Sequence, residues 1–226
     1  MWNRASFQNW TIIYKSSEVF TPYTHSHYDF LHFILLDNKR PLLIDSGRSS
    51  YNPSNTHYDS YLPQYHNSLI INDISYKPYN ALRYPPTYFH YQCTSEVDQQ
   101  CDSLIIKLYT DGFNRIKPNF NLSRTIEISK LSVKIIDNIN DASQYIIENY
   151  FHIDSKFNII KKNNNIYFNE KYLFSSNNLI DQYSINKQDD FRLNSENYGD
   201  TNTKNYLSAK NNISSSKPVI HEIKRL

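Results

Sequence analysis

Between Thr24 and Gly47 the chain reads THSHYDFLHFILLDNKRPLLIDSG, which sets three histidines and three aspartates in one of its most apolar stretches. Residues two apart on a strand project to the same side. His25 and His27 therefore stand together, and Asp29 follows on that face if the strand continues. Such a pair can present two imidazoles to one metal, or give one to the metal and keep the other for proton transfer near neutral pH. The next apolar run, PLLID, ends at Asp45 and is placed to pair antiparallel with 29–36 through a turn at Asp37-Asn38. That turn centre sets Asp45 opposite residue 29 or 30, and a third imidazole, His66, opens the following run HNSLIIND. Two imidazoles and a carboxylate from this group suit Zn²⁺, which takes nitrogen and oxygen ligands tetrahedrally. The plainer alternative is an exposed strand pair of histidines, and spacing alone leaves both open.

The elements that must position these residues read as strands. Short apolar runs bounded by turn residues recur along the chain, among them WTIIYK (10–15), DFLHFILLD (29–37), SLIIKLYTD (103–111), LSRTIEIS (122–129), LSVKIIDNI (131–139), ENYFHID (148–154) and the terminal KPVIHEIKRL. In TIEIS and SVKIIDNI the apolar residues alternate, which means one covered and one wet face. No amphipathic helix of useful length stands out, and the Asn/Ser-rich segment 194–216 reads as loop. The expected fold is an all-β, antiparallel, multi-stranded β-sandwich in one domain over 1–226.

Composition agrees and narrows the function. The 226 residues include 20 Tyr and 12 Phe but only 3 Gly, an aromatic bias that favours sheet. Aromatic surfaces also suit sugar rings, although tyrosine in strands is more often packing. A net charge of +2, with no basic run, argues against a nucleic-acid surface. Nothing approaches the roughly 20 apolar residues of a membrane span, and MWNRASFQNW has no signal-peptide pattern. Cys93 and Cys101 read as free thiols rather than a hairpin disulfide. His32 alternates with Leu31 and Phe33 and is expected on the surface; His57, His90, His152 and His221 lack partners at metal spacing, and Asp98, Asp189 and Asp190 read as solvated loop residues. A cupin barrel would carry a Glu soon after its His-x-His, and Leu31 and His32 stand there instead.

The ordered set His25, His27, Asp29, Leu31, Phe33, then Asp45, Gly47, Tyr51, then His66-Asn67 resembles the C-terminal β domain of heparinase II/III-type polysaccharide lyases. Downstream, SRTIEI with Arg124, VKIIDNI and YFHID resemble that family's later strands. The resemblance implies β-elimination on a uronic-acid polysaccharide. In that reaction the substrate carboxylate is neutralised, a base removes the C5 proton, and an acid protonates the leaving oxygen. It implies His25 at the catalytic centre, His27, Asp45 and His66 as ligands of a structural Zn²⁺, and Asp29 supporting an imidazole N–H. Arg48 and Tyr51 would line the substrate groove, although they read equally well as solvated loop residues.

Intact members carry an α/α-toroid before this domain and are exported to the periplasm, cell envelope or medium. No helical segment precedes Trp10 in this sequence, so the expected polypeptide is half of a cleft, whether split gene product, truncated remnant or one part of a larger protein. The loop HYDSYLPQY (57–65) also lacks the Arg that the family places before His-Asn. The second expectation is a non-catalytic carbohydrate-binding or structural sandwich that keeps the zinc.

Overall fold

A computed structural model describes residues 2–16, 27, 29–45, 62–75, 92–114, 116–163, 165–177, 184–187 and 205–226. The strands in chain order are β1 (Trp2–Phe7), β2 (Trp10–Lys15), β3 (Phe33–Asp37), β4 (Arg40–Leu43), β5 (Leu69–Ile71), β6 (Cys93–Gln99), β7 (Ser103–Thr110) and β8 (Leu122–Ser129). They continue as β9 (Ser132–Ile139), β10 (Tyr145–Ile153), β11 (Ile159–Lys162), β12 (Asn165–Phe168), β13 (Tyr172–Ser176), β14 (Ser184–Lys187), β15 (Asn205–Ile213) and β16 (Val219–Arg225). One sheet runs β1-β2-β3-β4-β10-β15-β14, with β5 also on β10; the other runs β11-β12-β13-β16-β9-β8-β7-β6. Every pairing among the described residues is antiparallel, so the expected β-sandwich is the observed fold.

The period-two pattern explains the layers. Along β8 and β9 alternate residues are buried, and Ile126, Ile128, Val133 and Ile135 join Phe33, Leu35, Phe151 and Phe174 in one continuous core. Burying a side chain of this size contributes about 1.5–3 kcal/mol, which is how such a lightly charged chain holds two large sheets together.

Arg124 breaks the apolar pattern on β8, for it is fully buried. Its Nε and one terminal nitrogen grip Asp137 of β9 at 2.7 and 2.9 Å. The same terminal nitrogen donates to Asn149 Oδ1 of β10 at 2.5 Å, and the other donates to the carbonyls of Leu31 at 3.1 Å and Asn67 at 3.2 Å. All five guanidinium N–H groups therefore have acceptors, which a buried charge requires. A second polar link joins the layers at β3, where Asp37 accepts Tyr172 Oη at 2.5 Å and also pairs with Arg225. Asp37 thus ties the sheets together besides ending its strand.

Three expectations change. The segment 194–216 was expected as loop, but β15 lies inside it and pairs with β10 along nine residues. Its polar residues mislead because Asn211 and Ser208 are buried by neighbouring strands rather than by an apolar pattern of their own. Asp98 sits within β6, exposed, rather than in a loop. The β3–β4 turn is centred on Asn38-Lys39, whose φ values of 49° and 64° suit a two-residue hairpin of the mirror-image type. Cys93 and Cys101 are both free thiols, as expected, because Cys93 pairs with Thr110 at the far end of β6 from the turn that holds Cys101.

His221 of β16 lies between Phe151 and Phe174, and neither ring nitrogen has a hydrogen-bond partner. Burial, helped by the Arg124 charge, pushes its pKa down to about 3. A histidine held neutral in the folded state binds its proton only on unfolding, so its contribution is intact above its unfolded pKa and is lost as pH falls from there toward the folded value.

Two outcomes follow for this frame. Arg124→Met should cost about 3–5 kcal/mol in urea unfolding, because Asp137 is left charged and buried; Arg124→Lys should fall between, keeping charge but losing the fork. His221→Phe should remove about 1.4 kcal/mol per pH unit of acid sensitivity below pH 6.5, read as a flatter stability-versus-pH curve than the parent's.

Candidate metal and catalytic site

The sheet that carries β3, β4 and β10 has a gap, and the site is built around what fills it. β10 pairs with β5 through Ile147, Glu148 and Asn149, and with β4 only at Ile153. Between these points the Asn67 side chain stands in for a strand. Its Oδ1 accepts the His152 N–H at 2.7 Å, while its Nδ2 donates to the carbonyls of Phe33 at 2.7 Å and Ile44 at 2.9 Å. Buried backbone groups must find partners, and here one amide satisfies three of them. Asn67 is therefore fixed, and His66, beside it after the short 3-10 turn Pro63–Tyr65, is fixed with it.

His66 Nδ1 lies 2.9 Å from Asp45 Oδ2, and His32 Nε2 lies 2.9 Å from the same oxygen. The Asn67 backbone N–H donates to His32 Nδ1 at 3.0 Å. That nitrogen must carry a lone pair, so a neutral His32 ring bears its proton on Nε2, which lies near Asp45 but outside hydrogen-bond geometry. His32 thus stands against the carboxylate, with Nε2 a second buried nitrogen outside hydrogen-bond geometry. His66 Nε2 is buried with no hydrogen-bond partner. Nitrogen and carboxylate atoms of His27, Asp29 and His66 form one group within 4.8 Å, and those of His32, Asp45 and His66 form another. The His27 and His66 rings are 4.9 Å apart.

Electrostatics prepares these groups unequally. Burial would raise the Asp45 carboxyl, but the adjoining His66 and His32 hold it well below the usual carboxylate range. Burial would lower His66, and the Asp45 carboxylate raises it instead. His27 is pushed down to about 4 by burial and by the neighbouring His66, which favours its neutral imidazole. Asp29 is also kept ionised against burial, by Lys15, whose Nζ contacts Oδ1 at 2.6 Å. The orphaned nitrogen of His66, the neutral ring of His27 and the ionised Asp45 are the states that metal ligands need, so the donor set fits a zinc ion.

Of the expected ligands, His27 and His66 share one group with Asp29, and His66 shares the other with His32 and Asp45, so His27 and Asp45 fall in separate groups. His25, Arg48 and Tyr51 fall outside the described residues, as do His57, His90, Asp189 and Asp190. His32 needs correction. It points away from the core, as alternation says, but it is fully buried because Trp2, His66 and Asp45 cover that part of the outer face. Register brings Asp45 there: the turn sits one residue later than expected and a shift between Leu35 and Leu36 moves the pairing to Leu35↔Leu43. Asp45 consequently falls beside His32 instead of opposite residue 29. His152 is buried, donating or accepting at the Gln64 carbonyl 3.0 Å away and stacked on Tyr206, which fits its expected structural part. Lys15 and Asn67 were not singled out for these roles; the only sequence signal for Asn67 was its place after His66.

Comparison with known proteins now bears on this geometry. The family model described as heparinase II/III-like, C-terminal, matches residues 2–219. Comparison with curated proteins gives no match. Among solved structures, a mutant of the heparan sulfate lyase HepC from Pedobacter heparinus superposes with a TM-score of 0.67 at 14% identity, covering 99% of this chain and 34% of that one. A heparinase III gene product superposes with a TM-score of 0.69 at 10% identity, covering 96% and 33%. A structure of heparinase III gives 0.65 at 15%, covering 100% and 35%. The chain thus spans about a third of the length of these structures, and at such identities the likeness concerns the fold. With the motif in order, the sandwich formed and the family model matched from end to end, the chain belongs to the heparinase II/III-like C-terminal domain family.

Proposed function

We propose that the chain is the β-sheet part of a lyase that cleaves uronic-acid-containing polysaccharides by β-elimination, completed by an α/α-toroid domain and acting outside the cytoplasm. The family match across residues 2–219 carries this reading. The similar solved structures named as lyases or heparinases, each about three times as long, support a larger whole.

Zn²⁺ would be held by His27, Asp45 and His66, supplying a fixed positive charge that braces the sheet gap. Asp45 is the better carboxylate of the two available, because Asp29 already faces the Lys15 ammonium. Asp29 offsets that ammonium, and His32 lies against Asp45. His25, two residues before His27, is the proposed proton-transfer group, its imidazole suited to act near neutral pH. Arg48 and Tyr51, just beyond Asp45, are the proposed substrate contacts.

Two measurements test this. Metal analysis should find one zinc per chain, and its removal by a chelator should lower the melting temperature, since a thousandfold excess of ion over Kd adds about 4 kcal/mol. Asp45→Asn should weaken zinc binding more than about a hundredfold and Asp29→Asn by about ten- to a hundredfold; equal losses would place Asp29 among the ligands. Joined to a toroid domain from a heparinase III relative, the chain should generate the ultraviolet absorbance of an unsaturated uronate, and His25→Ala should reduce it at least about a hundredfold. Full activity of His25→Ala removes that residue from the mechanism, and glycan binding without turnover in every pairing favours the carbohydrate-binding alternative.

A further inference from the structure

The register of β1, β2 and β3 draws an exposed aromatic residue to the rim of this site. Trp2 pairs with Lys15, and the Lys15 N–H donates to the His32 carbonyl at 3.2 Å, so the three form one cross-strand row. Row members share a face, and here it is the outer face, since Tyr14 and Phe33 beside them point into the core. Two strand spacings separate the ends of the row by about 9–10 Å at the backbone, yet the Trp2 and His32 ring centroids are 5.5 Å apart. The indole therefore leans inward across β2 toward the histidine–aspartate cluster. The two rings meet at 81°, edge against face, so the imidazole leaves at least one indole face uncovered, and Trp2 remains 49% exposed.

Its surroundings are polar. Arg4, two residues along β1 and about 7 Å away, is exposed on the same face. A protein-docking patch would place further large apolar groups around the indole. Among the described residues the other exposed large hydrophobics are Ile74, Val97, Tyr109, Leu131, Ile146 and Leu226, none of them on β1 or β2. A flat aromatic face with a guanidinium beside it matches an anionic pyranose. The C–H face of the sugar lies on the negative face of the ring system, and its anionic substituent meets the guanidinium.

We propose that Trp2 is the platform of a sugar subsite at the rim of the cluster, taking an anionic pyranose whose carboxylate or sulfate is met by Arg4. This rests on the acidic-glycan reading above and adds to it the residues that hold a neighbouring sugar. The chain's two tryptophans make the test direct, because Trp10 is fully buried and Trp2 reports the surface.

Titration with unsulfated uronate oligosaccharides and with N-sulfated heparan oligosaccharides, followed by tryptophan emission and by calorimetry, should give a saturable change in the parent chain. Trp2→Ala should weaken binding roughly five- to tenfold, and Trp2→Tyr should recover most of it. Arg4→Gln should weaken binding and flatten its salt dependence. The stronger of the two oligosaccharide series identifies carboxylate or sulfate as the anion met by Arg4. If the parent binds and Trp2→Ala and Trp2→Tyr bind equally well, the subsite is refuted while the acidic-glycan reading stands. Binding of a neutral oligosaccharide as tightly as the acidic ones refutes the pairing with Arg4. Absence of any glycan binding by the parent overturns both.

Discussion

The fork that Arg124 makes with Asp137 holds the rest of this structure in place. A guanidinium removed from water costs several kcal/mol unless every donor is met. Here its five N–H groups reach across both sheets, to β9, β10 and the carbonyls of Leu31 and Asn67. Those last two carbonyls belong to the segments that carry the functional groups. Leu31, with a φ of 62°, immediately precedes His32, and Asn67 immediately follows His66. A charge buried in the core thus sets the position of loops on the outer face.

Asn67 transmits that constraint. It receives Arg124 on its carbonyl, plugs the gap between β4 and β10 with its side chain, and fixes the His32 tautomer with its N–H. Each bond is worth only about 1 kcal/mol net, but all depend on one backbone position and loosen together. An exposed histidine pair could rotate freely; this cluster is held by buried groups that have no water to fall back on. Preorganisation of that kind is what a metal or a reacting sugar requires of its site.

Much of this could be read before the fold was known, and the misreadings share a cause. The alternation in β8 and β9 announced a sandwich, because the side-chain period of a strand is fixed. The motif from His25 to Asn67 carried the family without any coordinates. Register was harder. Moving the hairpin centre to Asn38-Lys39 and adding one shift at Leu35 was enough to carry Asp45 from residue 29 to His32. His32 itself looked solvent-facing because alternation gives direction but cannot say what covers an outer face. β15 was hidden for the converse reason, since polar residues such as Asn211 and Ser208 are buried by their neighbours.

The charge balance of the site connects its structure to its proposed substrate. Among the described residues, and with the imidazoles neutral, the carboxylates of Asp29 and Asp45 are accompanied by one ammonium, that of Lys15, which leaves an excess of negative charge beside the proposed glycan surface. Such a site would repel its own substrate, and a buried carboxylate pair is costly in its own right. A proton on His66, which Asp45 favours, would cancel the excess; a divalent cation in the same place would reverse it. The orphaned Nε2 of His66 marks where the proton alone gains no partner. On the proposed reading, therefore, the ion braces the gap in the sheet and also turns an anion-repelling cluster into one that a uronate can approach.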